Sequence, residues 1–469
     1  MAGIMTTCRR EEDTLGTVEV PCDALWGAQT ERARNNFTIS GATMAQFPTL
    51  VAALAMIKQA AARANVQAGV LEADKAALIE AACAQLIAGE HLSAFPVDMI
   101  QGGAGTSANM NANEVIANLA NALAGKPLGD YAFIHPNDHV NRSQSTNDVY
   151  PSAVKLSLVA AALPLEAALS ALVDSFDDRA KAFADVFKLG RTQMQDAVPM
   201  TLGQEFGAYA ATLRKDLAAL RAAVPQLYDL NMGGTAIGTG LNAPAGYAAA
   251  VITELQQITG LPLATADDLI EASWDMGAFV SLSGMLKRIA TKLSKIANDL
   301  RLLSSGPRGG FGEIHLPEMQ PGSSIMPGKV NPVIPEVVSQ VCFQVIGNDM
   351  AVTMAAEAGQ LQLNAMEPLI AYNLHSSMQL LVRAVSVFDE RCVSGIVANE
   401  ARCQGNLDAS VVTVTALVPI IGYAQSAKLA LDALKTGKTI KESVVSENIL
   451  KVSELSLLDP TTLVFPHGR

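Results

Sequence analysis

The sequence predicts a mainly α-helical protein, and three observations carry that prediction. Half of the 469 residues are apolar, only 5% are aromatic and alanine is abundant, which suits close helix packing better than a β-sandwich. Residues 276–303 repeat apolar side chains at Val280, Leu286, Ile289, Leu293, Ile296 and Leu300. Lys287, Arg288, Lys292 and Lys295 occupy much of the other side. Similar patterning recurs in 203–223, 333–354 and 366–389, and long helices begin at about Val149, so five long helices form a central bundle.

Each part of the chain follows from its local pattern. The 28 residues of 276–303 span roughly 40 Å as a helix, with apolar faces too wide for one partner. In the third and fourth runs, Pro335 predicts a kink and Pro368 a helix start. Residues 1–140 mix loops with shorter helices, among them 53–64 and 75–88. Residues 141–400 hold the bundle, and 401–469 form a small helical part with a charged connector, KTGKTIKE. Residues 410–427 carry no charge, but Pro419 and several hydroxyl residues favour a buried helix pair or helix-turn over a membrane span.

Charge and cysteines narrow the function. A net charge of −12 excludes a nucleic-acid binder, which needs a basic stripe, but not an anionic substrate. The six cysteines are scattered without a C-x-x-C pair and read as reduced thiols. The first residues, MAGIMTTCRREED, lack an apolar secretory region. A soluble, cytoplasmic protein is expected.

Between the helices lie polar loops. Residues 101–113 (QGGAGTSANMNAN) read as a turn-rich connector, or as an anion loop facing a ligand with backbone amides and Thr106. In 135–148 (HPNDHVNRSQSTND), Ser145, Thr146 and Asn147 offer uncharged donors and also suit a helix N-cap. His135 and His139 are four apart, but Pro136 interrupts them and no ligand set is complete, so no metal is assigned. Residues 188–204 make a third polar loop and the glycine-rich 231–242 a fourth, which fits neither nucleotide-binding glycine motif.

Residues 320–336, QPGSSIMPGKVNPVIPE, form the segment around which the rest is organised. Four prolines bar a continuous helix, and Gly322 and Gly328 bracket SSIMP. The result is a mobile loop bearing Ser323, Ser324, Lys329 and Asn331, groups that suit a dicarboxylic acid. A cation and an amide hold one carboxylate while a loop hydroxyl reaches the carbon.

GAGTSANMNANE, HPNDHVNRSQSTND, GRTQMQDAVPMTLGQEF and GSSIMPGKVNPVIPE together resemble, in order, blocks of the aspartase/fumarase superfamily, lyases that form fumarate. The resemblance covers essentially the whole chain. It implies a three-domain fold and a homotetramer with a twenty-helix core, each active site being built from loops of three subunits. By motif position, Ser323 corresponds to the general base. Ser324, Thr106, Ser145 and Thr146 would cradle the carboxylate that becomes the aci-carboxylate. Lys329 and Asn331 would hold the other carboxylate, and Asn147, Thr192 and Gln193 would sit by the leaving group. Such donors are worth about 3–4 kcal/mol each where charge develops.

The choice among these lyases turns on position 193. Fumarases of the superfamily carry a histidine there, paired with the glutamate corresponding to Glu336. This chain reads Gly190-Arg191-Thr192-Gln193. Glutamine does not titrate, whereas hydroxide as a leaving group benefits from a proton donor and ammonia does not need one. The motif therefore resembles the aspartate ammonia-lyases and leaves the role of Glu336 open. The alternatives are a class II fumarase, an amine lyase acting on substituted aspartates, and an inert structural protein of the same fold. No cofactor is expected, and activation by a divalent cation stays open.

Overall fold

A computed structural model describes residues 8–465. The expectation that the N-terminus is no secretory signal falls largely on residues 1–7, outside the described residues. The chain opens with a hairpin of β1 (Cys8–Asp13) and β2 (Gly16–Pro21). Then come α1 (Ala28–Asn36), α2 (Pro48–Gln67), α3 (Ala73–Ile87), α4 (Thr106–Leu123) and α5 (Thr146–Ala182). A second hairpin, β3 (Phe187–Thr192) and β4 (Gln195–Thr201), leads into α6 (Leu202–Ala223). After it run β5 (Asp229–Leu230), α7 (Tyr247–Thr259), β6 (Ala264–Thr265), α8 (Gly277–Leu303) and β7 (Ile314–His315). The rest comprises α9 (Val333–Glu357), α10 (Glu367–Arg391), β8 (Val397–Ala398), α11 (Glu400–Ala409), α12 (Val418–Ile421), α13 (Tyr423–Thr436), α14 (Ile440–Ser446) and α15 (Pro460–Val464). The protein is mainly α, with five helices of 22 to 37 residues.

Two compact units divide the chain. One holds the residues up to Glu166 with Ala219–Arg288 and Gln344–Leu380; the other holds Ala167–Ala218, Ile289–Phe343 and the residues from Leu381 on. Within the first, Ser283 and Lys287 of α8 bind the Asp349 carboxylate of α9 at 2.8 and 2.5 Å. Ser157 of α5 meets His375 of α10 at 2.8 Å. Its helix α1 starts at Gly27, which has no side chain to cap with; the buried Glu114 of α4 accepts from the Gly27, Gln29 and Thr30 amides instead. Within the second unit, Phe176 and Phe183 of α5 pack on Phe206 and Tyr209 of α6, and Lys292 of α8 pairs with the buried Asp216 at 2.5 Å. Leu417, Leu429, Ile440, Val444, Leu450 and Leu458 form a core of their own near the C-terminus.

Three local expectations are corrected. Residues 106–113 are not loop but the start of α4, because the asparagines that break the helical pattern are buried and bonded. Asn111 donates to Ala94 O at 2.9 Å, and Asn113 to Asn141 Oδ1 at 3.1 Å. Tertiary partners remove the competition with the helix that makes asparagine a poor helix former. Residues 188–204 are a hairpin and a helix start. Pro335 does not kink α9, since it lies in the first turn, where its missing N–H costs nothing.

Residues 410–427 form the expected helix-turn, with Gly422 at φ +79 between α12 and α13, but the turn is not buried as expected: α12 has no buried residue and Tyr423 is 79% exposed. Among the described residues α5 alone is by itself long and apolar enough to cross a membrane, and half of its most apolar window is buried in protein. A core helix of a bundle has the same composition.

Candidate active site

In the first unit two helix N-termini meet. Thr106 opens α4 and Thr146 opens α5, and Asn109 Nδ2 of α4 donates to Thr146 Oγ1 at 3.0 Å. Ser145 Oγ accepts from the Asn147 amide at 3.2 Å, so residues 145–147 are a helix cap as well as a donor cluster. Ser145 Oγ and Thr146 Oγ1 each accept a bond, and among the described residues neither hydroxyl donates one. Thr106 Oγ1 donates to Gly103 O at 2.7 Å, and Asn147 Nδ2 to Ala236 O at 2.7 Å. Free amides and helix dipoles make this a place for negative charge. Gly105 lets α4 come this close: its φ is +84, and a Cβ there would lie 2.3 Å from the Tyr150 ring.

Beneath the cluster lie two buried charges that the sequence reading missed. Lys58 Nζ donates to Asn141 Oδ1 and Gln144 Oε1, both at 2.9 Å. Asp148 accepts from the Ser145, Gly233 and Thr235 amides at 3.0, 3.2 and 3.0 Å. Burial pushes the Lys58 ammonium down to about 7, against the pull of Asp148, and pushes the Asp148 carboxyl up to about 6. The sequence signal for Lys58 was a single cation on the apolar face of α2, between Leu54 and Ala61.

That burial has a measurable consequence. Folded Lys58 holds its proton more weakly than the unfolded chain does, so its contribution to stability grows as pH rises from about 7 towards 10.5. Lys58→Met removes this component. Urea unfolding at pH 7 and pH 9 will show the wild type gaining up to about 2–3 kcal/mol on the variant. A gap that stays constant would place the lysine in water.

The second unit carries the remaining residues. Thr192 ends β3, and Gln193 and Met194 form the two-residue turn, with φ +54 and +63. Such a turn usually takes Asn-Gly. Side chains held there cost of order 1–3 kcal/mol each, and strain of this kind gathers at functional sites. The base of the hairpin is clamped. Fully buried Glu313 pairs with Arg191 at 2.7 Å and Lys188 at 3.1 Å and accepts from Asn406 of α11 at 3.0 Å; burial pushes its carboxyl up, but those partners together outweigh it and hold it below its ordinary range. Arg191 also stacks on Phe311 at 4.2 Å.

The loop before α9 is built as the sequence suggested, with one different reason. Gly322 pairs with Lys329 through its amide at 2.8 Å, and a Cβ there would meet Lys329 O at 2.3 Å. It is close approach, not a left-handed backbone, that requires glycine at 322. Asn331 Nδ2 closes the loop onto Gly322 O at 2.7 Å. Ser323 Oγ accepts from the Ile325 and Met326 amides at 3.2 and 3.1 Å. Ser324 is exposed beside it. Lys329 and Asn331 line an open cleft of about 950 Å³, bounded by the end of α8, by β7 and by Glu336. Among the described residues no three His, Cys, Asp or Glu side chains converge as a metal ligand set.

Comparison with known proteins identifies the family. A family described as lyase matches residues 16–347, and one described as the fumarase C C-terminus matches 414–464. An aspartate ammonia-lyase of Pseudomonas aeruginosa is 56% identical, with 98% of each chain covered. A Brucella melitensis crystal structure described as fumarate lyase:delta crystallin, bound to cobalt, superposes with a TM-score of 0.95 at 57% identity, covering 97% of this chain and 99% of that one. The class II fumarase of Schistosoma mansoni gives 0.94 at 38%, covering 98% and 100%. With a lyase match over most of its length and relatives more than half identical from end to end, the chain belongs to the aspartase/fumarase superfamily of lyases.

Proposed function

We propose that this protein is an aspartate ammonia-lyase, which removes ammonia from L-aspartate reversibly, in anti geometry, to give fumarate. The observation that carries the reading is the 56% identity to an enzyme of that name over 98% of both chains. The untitratable Gln193 at the hairpin tip supports it, because ammonia leaves without an acid.

In this reading Ser323 is the general base. Two backbone N–H groups already point at its oxygen, and donors of that kind favour the anionic form a base needs. Closing of the loop would add desolvation. As the proton leaves carbon, a second negative charge grows on the neighbouring carboxylate, the aci-carboxylate. Ser324, Thr106, Ser145 and Thr146 receive it, aided by the two helix N-termini. Lys329 and Asn331 hold the other carboxylate, and Asn147, Thr192 and Gln193 border the departing amine.

The proposal includes a cytoplasmic homotetramer with a twenty-helix core, sites shared by three subunits, and domains of residues 1–140, 141–400 and 401–469. Along α9, Phe343, Ile346, Met350 and Met354 follow at helical spacing and are 36–66% exposed, a stripe that a second copy would cover. No cofactor is consumed and no step is routed through a metal; turnover with and without a chelator tests cation activation.

Incubation with L-aspartate or L-malate, following fumarate by its ultraviolet absorbance, tests the function. Signal from aspartate alone is expected. Signal from malate alone would mean a fumarase, and signal from neither an inert scaffold. Gln193→His is expected not to dehydrate malate, because the strained turn and Glu336 were not built around an imidazole at 193. Malate turnover by that variant would show that one residue selects the leaving group.

A further inference from the structure

The tip of the β3–β4 hairpin, which carries Thr192 and Gln193, is not aimed by its own ladder. Leu189 lies opposite Pro199, but the next pair is Arg191 with Asp196, so Ala197 and Val198 together face Gly190. A bulge of this kind bends the strand and breaks the pairing, which frees the part beyond it from the register below. Residues 192–196 are also exposed, and two strands alone are marginally stable in water. The position of the tip therefore depends on what holds Arg191 and Asp196, the first pair past the bulge.

Both members of that pair are held from α11. Arg191 reaches Glu313, which accepts from Asn406, and it stacks on Phe311. Arg402 of α11 donates to Gly310 O and Phe311 O, both at 2.9 Å, and so fixes the ring. On the other strand Asp196 Oδ2 accepts from the Ser410 hydroxyl at 2.6 Å. Ser410 is buried and follows the last residue of α11 directly. Its hydroxyl is not needed to end the helix, because its backbone N–H already caps Leu407 O. The hydroxyl proton goes instead to a strand more than two hundred residues earlier in the chain.

We propose that Ser410 is a positioning residue for the amine side of the site. By holding Asp196 it fixes the hairpin tip, and with it the distance of Thr192 and Gln193 from the departing amine. The short segment after α10 thereby acts on the chemistry without touching substrate. This rests on Thr192 and Gln193 bordering the amine. The carboxylate-holding groups, Lys329 and Asn331, stand on a separate loop and do not depend on the latch.

Amination of fumarate by the intact protein tests this, with loss of fumarate followed by its ultraviolet absorbance as ammonium is varied. Ser410→Ala and Asp196→Ala are each expected to raise KM for ammonium about three- to tenfold, the effect of one lost hydrogen bond. The double variant should go no further than the larger single effect, because either change alone opens the latch. Succinate is a dicarboxylate without an amine, so its inhibition constant should stay within about twofold in all three variants. An unchanged KM for ammonium overturns the proposal. So does a succinate constant that rises in step, which means a general loosening of the site, and so do single effects that multiply in the double variant. Aspartate turnover by the wild type separates the two levels. Full wild-type turnover with any of those outcomes sinks the Ser410 role alone. A wild type that forms no fumarate from aspartate sinks the site reading, and this inference with it.

Discussion

Ser323→Ala is expected to lower kcat for L-aspartate by about 10²–10⁴-fold while leaving the far-ultraviolet circular dichroism and the oligomeric state unchanged. The size follows from what the hydroxyl does in the proposed mechanism. A proton on carbon beside a carboxylate is weakly acidic, so losing the positioned base exposes the reaction to water. The fold should not notice. Ser323 lies on an open loop, and its bonds accept from the adjacent Ile325 and Met326 amides without tying distant elements together. Substrate should still bind, because Lys329 and Asn331 are untouched, and KM should stay within about threefold, since base catalysis acts in the transition state. Retention of more than about a tenth of the turnover, against the 10²–10⁴ usual for a base, would remove Ser323 from that role.

Lys329→Met is expected to do the opposite, raising KM for aspartate and the inhibition constant of succinate about 10- to 100-fold. A charge-assisted hydrogen bond contributes about 1.5–3 kcal/mol, and 1.4 kcal/mol is tenfold. Methionine keeps the stem and removes the ammonium, so cleft shape is preserved. Among the described residues the ammonium has no acidic partner, so its loss leaves no uncompensated protein charge. Steady-state kinetics decides: an unchanged KM with reduced kcat would assign Lys329 to charge developing in the transition state instead of to ground-state binding.

Much of this was legible without coordinates. The run 276–303 became α8 at Gly277–Leu303, and 203–223 became α6 at Leu202–Ala223, because an apolar stripe at helical spacing has few other ways to be buried. The loop at 320–332 was equally plain, since prolines and glycines act on their own backbone, although the helix already starts at Val333. The asparagines of α4 were not. Asn109, Asn111 and Asn113 look like loop residues until Asn141, Thr146 and the Ala94 carbonyl are placed beside them. The β3–β4 hairpin hid for a related reason: its turn is Gln193-Met194, with no glycine, and its clamp comes from Glu313 and Asn406, more than a hundred residues on.

The sequence by itself determined the helical class, the loop before α9, the superfamily and the residue types available to the chemistry. Each of those depends on spacing along the chain or on a side chain's own nature. Only the tertiary structure decided that Lys58 and Asp148 are buried behind the α5 N-terminus, that Gln193 sits on a strained turn, and that Ser410 holds Asp196 beside it. Burial and proximity between residues far apart in the chain set a group's charge and partners, and neither has a signature in local sequence.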